Sequence, residues 1–265
     1  MHRLCRYVRF SINPFLPTDE AGFNSFASRP AGDGLAVYLE LGVELEGDSD
    51  PATGLIVNVS DIDRIVRDCA VGVFTEKLKA DFKAAHHTDY DDLVKLLKIV
   101  WQNLSDKFGK AQICKLSLKL NPCRTISVED KDCAMIYYSE KFEFAAAHKL
   151  WNEKFSEKEN LNIFGRCANP AGHGHNYIVE VTVKYKSGES IKTGEFEKIV
   201  DKELIKAVDH KNLNEDLLDF QKITPTVENI AVFAWDKLAG KFKSPIALHC
   251  VTVWETDKTF SSYYG

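Results

Sequence analysis

Two stretches of the chain alternate apolar and polar residues after the same kind of turn. Residues 27–41 read ASRPAGDGLAVYLEL and residues 167–181 read CANPAGHGHNYIVEV. An offset of 140 places PAGDG at 30–34 over PAGHG at 170–174. Side chains of a strand repeat every two residues, so Val37, Leu39 and Leu41 are predicted to share one face, as are Val179, Val181 and Val183. Helical periods follow each strand. Asp61 to Cys69 and Phe196 to Val208 read as amphipathic helices, the second with Phe196, Val200 and Leu204 on one side. A further helix carries Leu93, Leu97, Val100 and Leu104 in the first half, and Ile230, Ala234 and Leu238 in the second. Each half then closes on a strand, near Cys114 to Leu120 and near Ala247 to Trp254. The order hairpin, helices, strand occurs twice, which predicts two α+β units, 1–133 and 134–265, each an antiparallel sheet with helices on one face.

A length of 265 residues accommodates two such units. An apolar share of 45% and a charged share of 28% belong to an ordinary soluble globular chain. No run approaches the roughly 18 apolar residues of a membrane span. The N-terminus MHRLCRYVRF lacks the apolar segment of a secretion signal, so a cytoplasmic protein without a membrane partner is expected. The formal charge of −5, with no dense Lys/Arg run, argues against nucleic acid as the main partner. The seven cysteines are widely spaced and contain no CxxC pair, and small, buried, reduced side chains are expected for most of them.

The histidines carry the chemistry. His173 and His175 stand two apart at the entrance to a predicted strand and therefore project from one face. His148 ends the apolar run FEFAAAH, which reads as the preceding strand of the same hairpin. Folding that hairpin brings three imidazoles together, and three neutral imidazoles with one open position are a ligand set for catalytic zinc. An HxH pair by itself is more often a surface or hydrogen-bonded feature; the third histidine in the hairpin changes the balance. Cys167 lies six residues before His173, where a thiol can serve as base or nucleophile, or simply pack. Asp209 and His210 adjoin in VDHKNLN, where the acid can orient the ring. Glu255 is read at the end of the last strand, where a carboxylate can accept two parallel N–H bonds from a guanidine-like ring edge. His86 and His87 read as an exposed turn between helices, and His249 as packed in a strand.

Taken in order from Phe142 to Lys258, the motifs F-x-A-A-H, C-x5-H-G-H-N-Y, D-H-K-N-L-N, P-T-x-E-N and W-E-T-D-K resemble the 6-pyruvoyltetrahydropterin synthase family. The resemblance implies tandem tunnelling-fold units whose copies assemble into a β-barrel ring. It implies Zn2+ on His148, His173 and His175, with Cys167 as general base and Asp209 and His210 as its partners. Glu255 becomes the pterin anchor; Thr226 and Glu228 fall near the pterin, or else cap a helix. The implied reaction converts 7,8-dihydroneopterin triphosphate to 6-pyruvoyltetrahydropterin with loss of triphosphate. The alternatives are the related 6-carboxytetrahydropterin synthases of deazapurine biosynthesis and a non-catalytic pterin-binding protein; five residues between Cys167 and His173 resemble the first activity more closely.

Departures from the family pattern concern mainly the first half. Ala27, Asp33 and Leu35 stand where Cys167, His173 and His175 stand in the second half, and no acid occurs near Asn121, where Glu255 would align. The first unit is therefore expected to be a degenerate copy without a metal site. In the second half, SGESIKTGEFEKIV lacks an aspartate usual in the family. Because the family takes Cys and Asp-His from neighbouring subunits, a homo-oligomer is expected, a trimer of two-unit chains in which the second units form one ring and the first units another.

Overall fold

A computed structural model of the chain describes residues 1–15, 24, 26 and 34–265. The first PAGDG turn, with Ala27 and Asp33, lies outside the described residues except for its last glycine. The chain divides into two compact units: Met1–Tyr138 with Tyr185–Ser190, and Ser139–Lys184 with Ile191–Gly265. Among the described residues no helix is long and apolar enough to cross a membrane.

The first unit begins with an antiparallel hairpin of β1 (His2–Ile12) and β2 (Val37–Gly47), in which Val8 pairs with Leu41 and Phe10 with Leu39. These four side chains are buried on one face. Helix α1 (Val59–Val66) starts at Asn58, whose side chain accepts from the Ser60 amide; that satisfies one of the donors a helix start leaves unpaired. A π-helical turn, Arg67–Val71, joins it to α2 (Gly72–Lys83). Helix α3 (Tyr90–Leu104) is capped by Asp89 and buries Leu93, Leu97, Val100 and Leu104. Strands β3 (Gln112–Lys119) and β4 (Arg124–Val128) complete the sheet in the order β1-β2-β3-β4. Leu41, Leu118 and Ile126 are successive partners across it.

The second unit repeats this plan. Strands β5 (Met135–His148) and β6 (His173–Lys186) lie side by side, separated in sequence by α4 (Glu157–Phe164). Helix α5 (Thr193–Val200) again continues through a π-helical turn, Asp201–Ile205, into α6 (Lys206–Val208). A two-residue strand β7 (Lys211–Asn212) pairs in parallel with β5, and a short α7 (Leu213–Asp216) follows. Helix α8 (Val227–Leu238) precedes β8 (Ala247–Thr256) and β9 (Thr259–Tyr263), antiparallel to each other. Val179 and Val181 pair with Val253 and Val251 over a core that includes Phe196, Val200, Ile230 and Ala234.

The α+β architecture read from the sequence is the one observed, an antiparallel sheet with helices on one face of each unit. The units also share irregularities: a π-turn in the first helix and a register shift between the second and third strands, at Glu44/Leu45 and at Thr182/Val183. Two expectations need correction. Glu255 lies near the end of β8, which is the penultimate strand, because TFSSY folds back as β9. Of the cysteines, all free, only Cys133 and Cys250 are buried, while Cys5 and Cys123 on the sheet and a turn are exposed.

Candidate metal centre

His148 is the last residue of β5, in which Phe144, Ala146 and His148 alternate into the core. His173 opens β6 and His175 follows on the same face. Just before His173 the chain turns at Gly172, whose φ of +68° is a left-handed value; a Cβ there would stand 3.0 Å from the His148 carbonyl oxygen. Both features require glycine. Gly172→Ala is therefore expected to cost about 1–2 kcal/mol in a urea unfolding experiment, from the left-handed backbone alone. Metal affinity is expected to fall with it, because the turn sets His173 against His148; unchanged stability and affinity would contradict this account.

The ligand-capable ring nitrogens of His148, His173 and His175 all lie within 4.8 Å of one another. His148 Nδ1 is 2.8 Å from the Pro225 carbonyl oxygen. A carbonyl can only accept, so Nδ1 carries the proton and Nε2 presents its lone pair inward. Burial holds the His148 pKa below the usual histidine value, against the opposing pull of the Pro225 carbonyl, and burial lowers His175 as well. His148 Nε2 and His173 Nε2 are 3.0 Å apart; two lone pairs at that separation repel unless a proton or a cation lies between them. His173 Nδ1 and His175 Nε2 are buried without a hydrogen-bond partner. Converging imidazoles with two uncompensated buried nitrogens fit a metal ion, and these three residues could hold one.

Around the histidines, Tyr177 stacks on Phe144 at 4.9 Å and its hydroxyl is 3.3 Å from His148 Nδ1. Burial raises the pKa of that hydroxyl, keeping it protonated. Glu255 Oε1 is 3.3 Å from His148 Nε2 and 3.6 Å from His175 Nε2. Cys167 sits on a short 3₁₀ turn after α4, where its carbonyl accepts from the Leu150 amide at 2.9 Å. That bond ties the cysteine turn to the chain just beyond His148. Burial, followed by the charge of Glu255, raises the thiol pKa. The loop before α4 is fixed by Asn160, fully buried, whose amide donates to the carbonyls of Asn152, Phe155 and Ser156.

Asp209 and His210 lie at the edge of β5. Asp209 accepts from the Ala145 amide at 2.9 Å, and the His210 amide donates back to the Ala145 carbonyl. His210 adopts a φ of +55° to do so, and its ring, 82% exposed, has Nδ1 2.9 Å from Asp209 Oδ2. An open depression of about 570 Å³ runs from His210 over Ala145, Ala147 and Gly174 to His175. The Ala145 amide, then the His210 ring, hold the Asp209 carboxyl below its usual range. A lowered carboxyl contributes stability that is present above its unfolded value near 4 and lost as pH falls through the folded value. Asp209→Asn should accordingly be less stable than the parent at neutral pH, with the gap closing in acid. Urea midpoints over that pH range test this, and a gap independent of pH would refute it.

Thr226 caps α8, its hydroxyl accepting from the Asn229 amide at 3.4 Å, and Glu228 is exposed on the first turn. The capping alternative for Thr226 is thus observed. Sequence reasoning gave no role to Pro225 and Tyr177, although both stand in the quoted P-T-x-E-N and H-G-H-N-Y motifs, and did not single out Asn160. The available signals were a proline directly before a helix cap, an aromatic residue in phase with the HxH pair, and an asparagine inside a short helix.

The sequence profile described as 6-pyruvoyl tetrahydropterin synthase matches residues 137–265. The human 6-pyruvoyl tetrahydrobiopterin synthase is 38% identical over 131 residues, which is 48% of this chain and 90% of the human protein. The chain belongs to the 6-pyruvoyl tetrahydropterin synthase family. The Drosophila melanogaster 6-pyruvoyl tetrahydrobiopterin synthase is 39% identical over 126 residues, covering 46% of this chain and 75% of that protein. Among solved structures, the Caenorhabditis elegans 6-pyruvoyl tetrahydropterin synthase aligns with a TM-score of 0.47 at 34% identity, over 49% of this chain and 96% of that one. Every residue of the centre described above falls inside the range matched by the family.

Proposed function

We propose that the chain is a zinc-dependent lyase that converts 7,8-dihydroneopterin triphosphate to 6-pyruvoyltetrahydropterin with elimination of triphosphate. Membership of the 6-pyruvoyl tetrahydropterin synthase family supports a lyase of pterin synthesis. The observation that carries the reading is the convergence of three imidazoles, with His173 Nδ1 and His175 Nε2 buried without partners, and a cysteine on a turn tied to the chain just beyond His148. In this proposal His148, His173 and His175 hold zinc, which when bound supplies Lewis-acid polarisation of an oxygen ligand. Cys167 takes the substrate proton. Glu255 anchors the pterin, with Thr226 and Glu228 at its margin.

Asp209 and His210 act as proton partners. Within one chain they bond to each other and to Ala145, while burial and the charge of Glu255 raise the Cys167 thiol. This supports a site completed between copies, and we assign the assembly as a trimer of two-unit chains without a metal centre in the first unit. A sedimenting mass other than three times 29.9 kDa would overturn that stoichiometry.

The test of the reaction is incubation of zinc-loaded protein with 7,8-dihydroneopterin triphosphate, following triphosphate release and pterin product by chromatography and mass. Formation of 6-pyruvoyltetrahydropterin is expected. A 6-carboxy product would transfer the chain to the deazapurine branch, and zinc binding without turnover would rule out the proposed activity.

A further inference from the structure

We infer that Asn214 is a positioning residue: its side-chain amide clamps the backbone of Lys149 and so holds His148, the Cys167 turn and the segment of Asp209 and His210 in one register. The inference rests on the proposed reaction and goes beyond it, since that reading gives Asn214 no part.

The clamp is bidentate. The Lys149 amide donates to Asn214 Oδ1 at 2.7 Å, and Asn214 Nδ2 donates to the Lys149 carbonyl at 3.0 Å. A peptide N–H only donates and its carbonyl only accepts, so the partner must offer one acceptor and one donor side by side. A carboxamide does. Aspartate would set a second acceptor against the carbonyl, and an apolar side chain would offer neither bond.

The clamp also continues a ladder. Ala145 is held at its amide by the Asp209 carboxylate and at its carbonyl by the His210 amide. Ala146 and Ala147 pair in parallel with Lys211 and Asn212. There the backbone of β7 turns away into α7, anchored by the fully buried Leu213. The Asn214 amide donates to Asn212 Oδ1 at 3.1 Å, and the Asn212 amide donates to the Asp216 carboxylate at 2.8 Å. These bonds fix the turn so that the Asn214 side chain reaches back to β5 just beyond its end. His148 therefore lies between Ala147, held by the ladder, and Lys149, held by the clamp.

What the clamp secures is a segment with no ladder of its own. Strand β5 ends at His148, and residues 149–152 have no regular structure, so their backbone groups need partners from elsewhere. The Leu150 amide donates to the Cys167 carbonyl, and the Trp151 carbonyl accepts from the Thr224 hydroxyl at 3.2 Å. Asn160 holds Asn152 at both its amide and its carbonyl. Of these ties, Asn214 supplies the one adjoining the histidine cluster, and it comes from the segment that carries Asp209 and His210. Because those two residues are proposed to complete a site between copies, the clamp sets the metal half of one site against the proton-partner half of the next.

Asn214→Ala and Asn214→Asp in the full chain test this, the second keeping an acceptor for the Lys149 amide without the donor. Cobalt(II) absorption in the visible d–d region reports the arrangement of the metal ligands, and urea unfolding reports stability. Steady-state kinetics with 7,8-dihydroneopterin triphosphate separates kcat from KM. In folded, metal-loaded Asn214→Ala the expected result is a shifted cobalt spectrum and a kcat lower by about 10- to 100-fold with KM little changed. That is the usual range for groups that orient metal ligands or hold reacting groups in place from a distance. Asn214→Asp should fall between alanine and the parent. A variant that is less stable but keeps the parent's spectrum and kcat would make the clamp merely structural and overturn the inference. A parent that binds cobalt without turning over this substrate would overturn the proposed reaction instead, and the cobalt spectra then decide the clamp. Failure of the parent to bind cobalt would overturn both. Should the variants not fold, hydrogen exchange of the parent decides: the Lys149 amide is expected to be protected like those of β5, and fast exchange at Lys149 overturns the clamp.

Discussion

Replacing His173 with alanine is expected to strip the metal from the protein and to lower turnover by at least about three orders of magnitude. The cluster has three imidazole donors, and deletion of one leaves two, too few for a stable catalytic site. Lewis-acid stabilisation is worth several kcal/mol, and each 1.4 kcal/mol is tenfold in rate. The fold should survive, because His173 is the first residue of β6 and its Nδ1 is already buried without a partner. Metal content per chain, circular dichroism and product formation separate the cases. A His173→Ala protein with full metal content would sink the assignment of this residue. Loss of turnover in a folded, metal-free variant is the predicted outcome, and His148→Ala should reproduce it at a larger cost in stability, since it leaves the Pro225 carbonyl without its buried donor.

The cluster was legible in the sequence because its geometry follows from local rules. An HxH pair at a strand entrance and a histidine at the end of the preceding strand must meet if the hairpin forms, and the alternation of Val179, Val181 and Val183 indicates the hairpin. Helices α3 and α8 were legible for the same reason, through the spacing of Leu93, Leu97, Val100 and Leu104 and of Ile230, Ala234 and Leu238, while α2 and α4 were not delimited. What stayed hidden depends on pairing that alternation does not record. Strand β9, TFSSY, is largely polar and partly exposed, so it shows no apolar face, yet its register against β8 creates the bulge at Glu255. The role of Pro225 depends on its carbonyl, and the proline before the helix cap marks the place without showing that this carbonyl meets His148. The bracketing of Ala145 by Asp209 and His210 needs a left-handed backbone at a histidine, a conformation that residue type alone does not announce. The two π-turns likewise interrupt helices whose apolar spacing reads as continuous.

Cys167→Ala is expected to bind metal as the parent does and to lose about 10²- to 10⁴-fold in turnover, the usual range for removal of a positioned general base. The side chain lies outside the three-histidine set, and its structural tie to β5 is made by its carbonyl to the Leu150 amide, which alanine retains. The change therefore removes a thiol and little else. The pH profile supplies a second reading. Burial and the Glu255 carboxylate hold this thiol above its ordinary value, so its deprotonated form is scarce at neutral pH and grows as pH rises. Turnover of the parent should climb with pH over the alkaline side, and the residual activity of Cys167→Ala should lack that limb. Intact metal content with normal turnover would remove Cys167 from the reaction. Loss of metal together with turnover would instead make its turn part of the support for the histidines, which the Leu150 bond alone does not require.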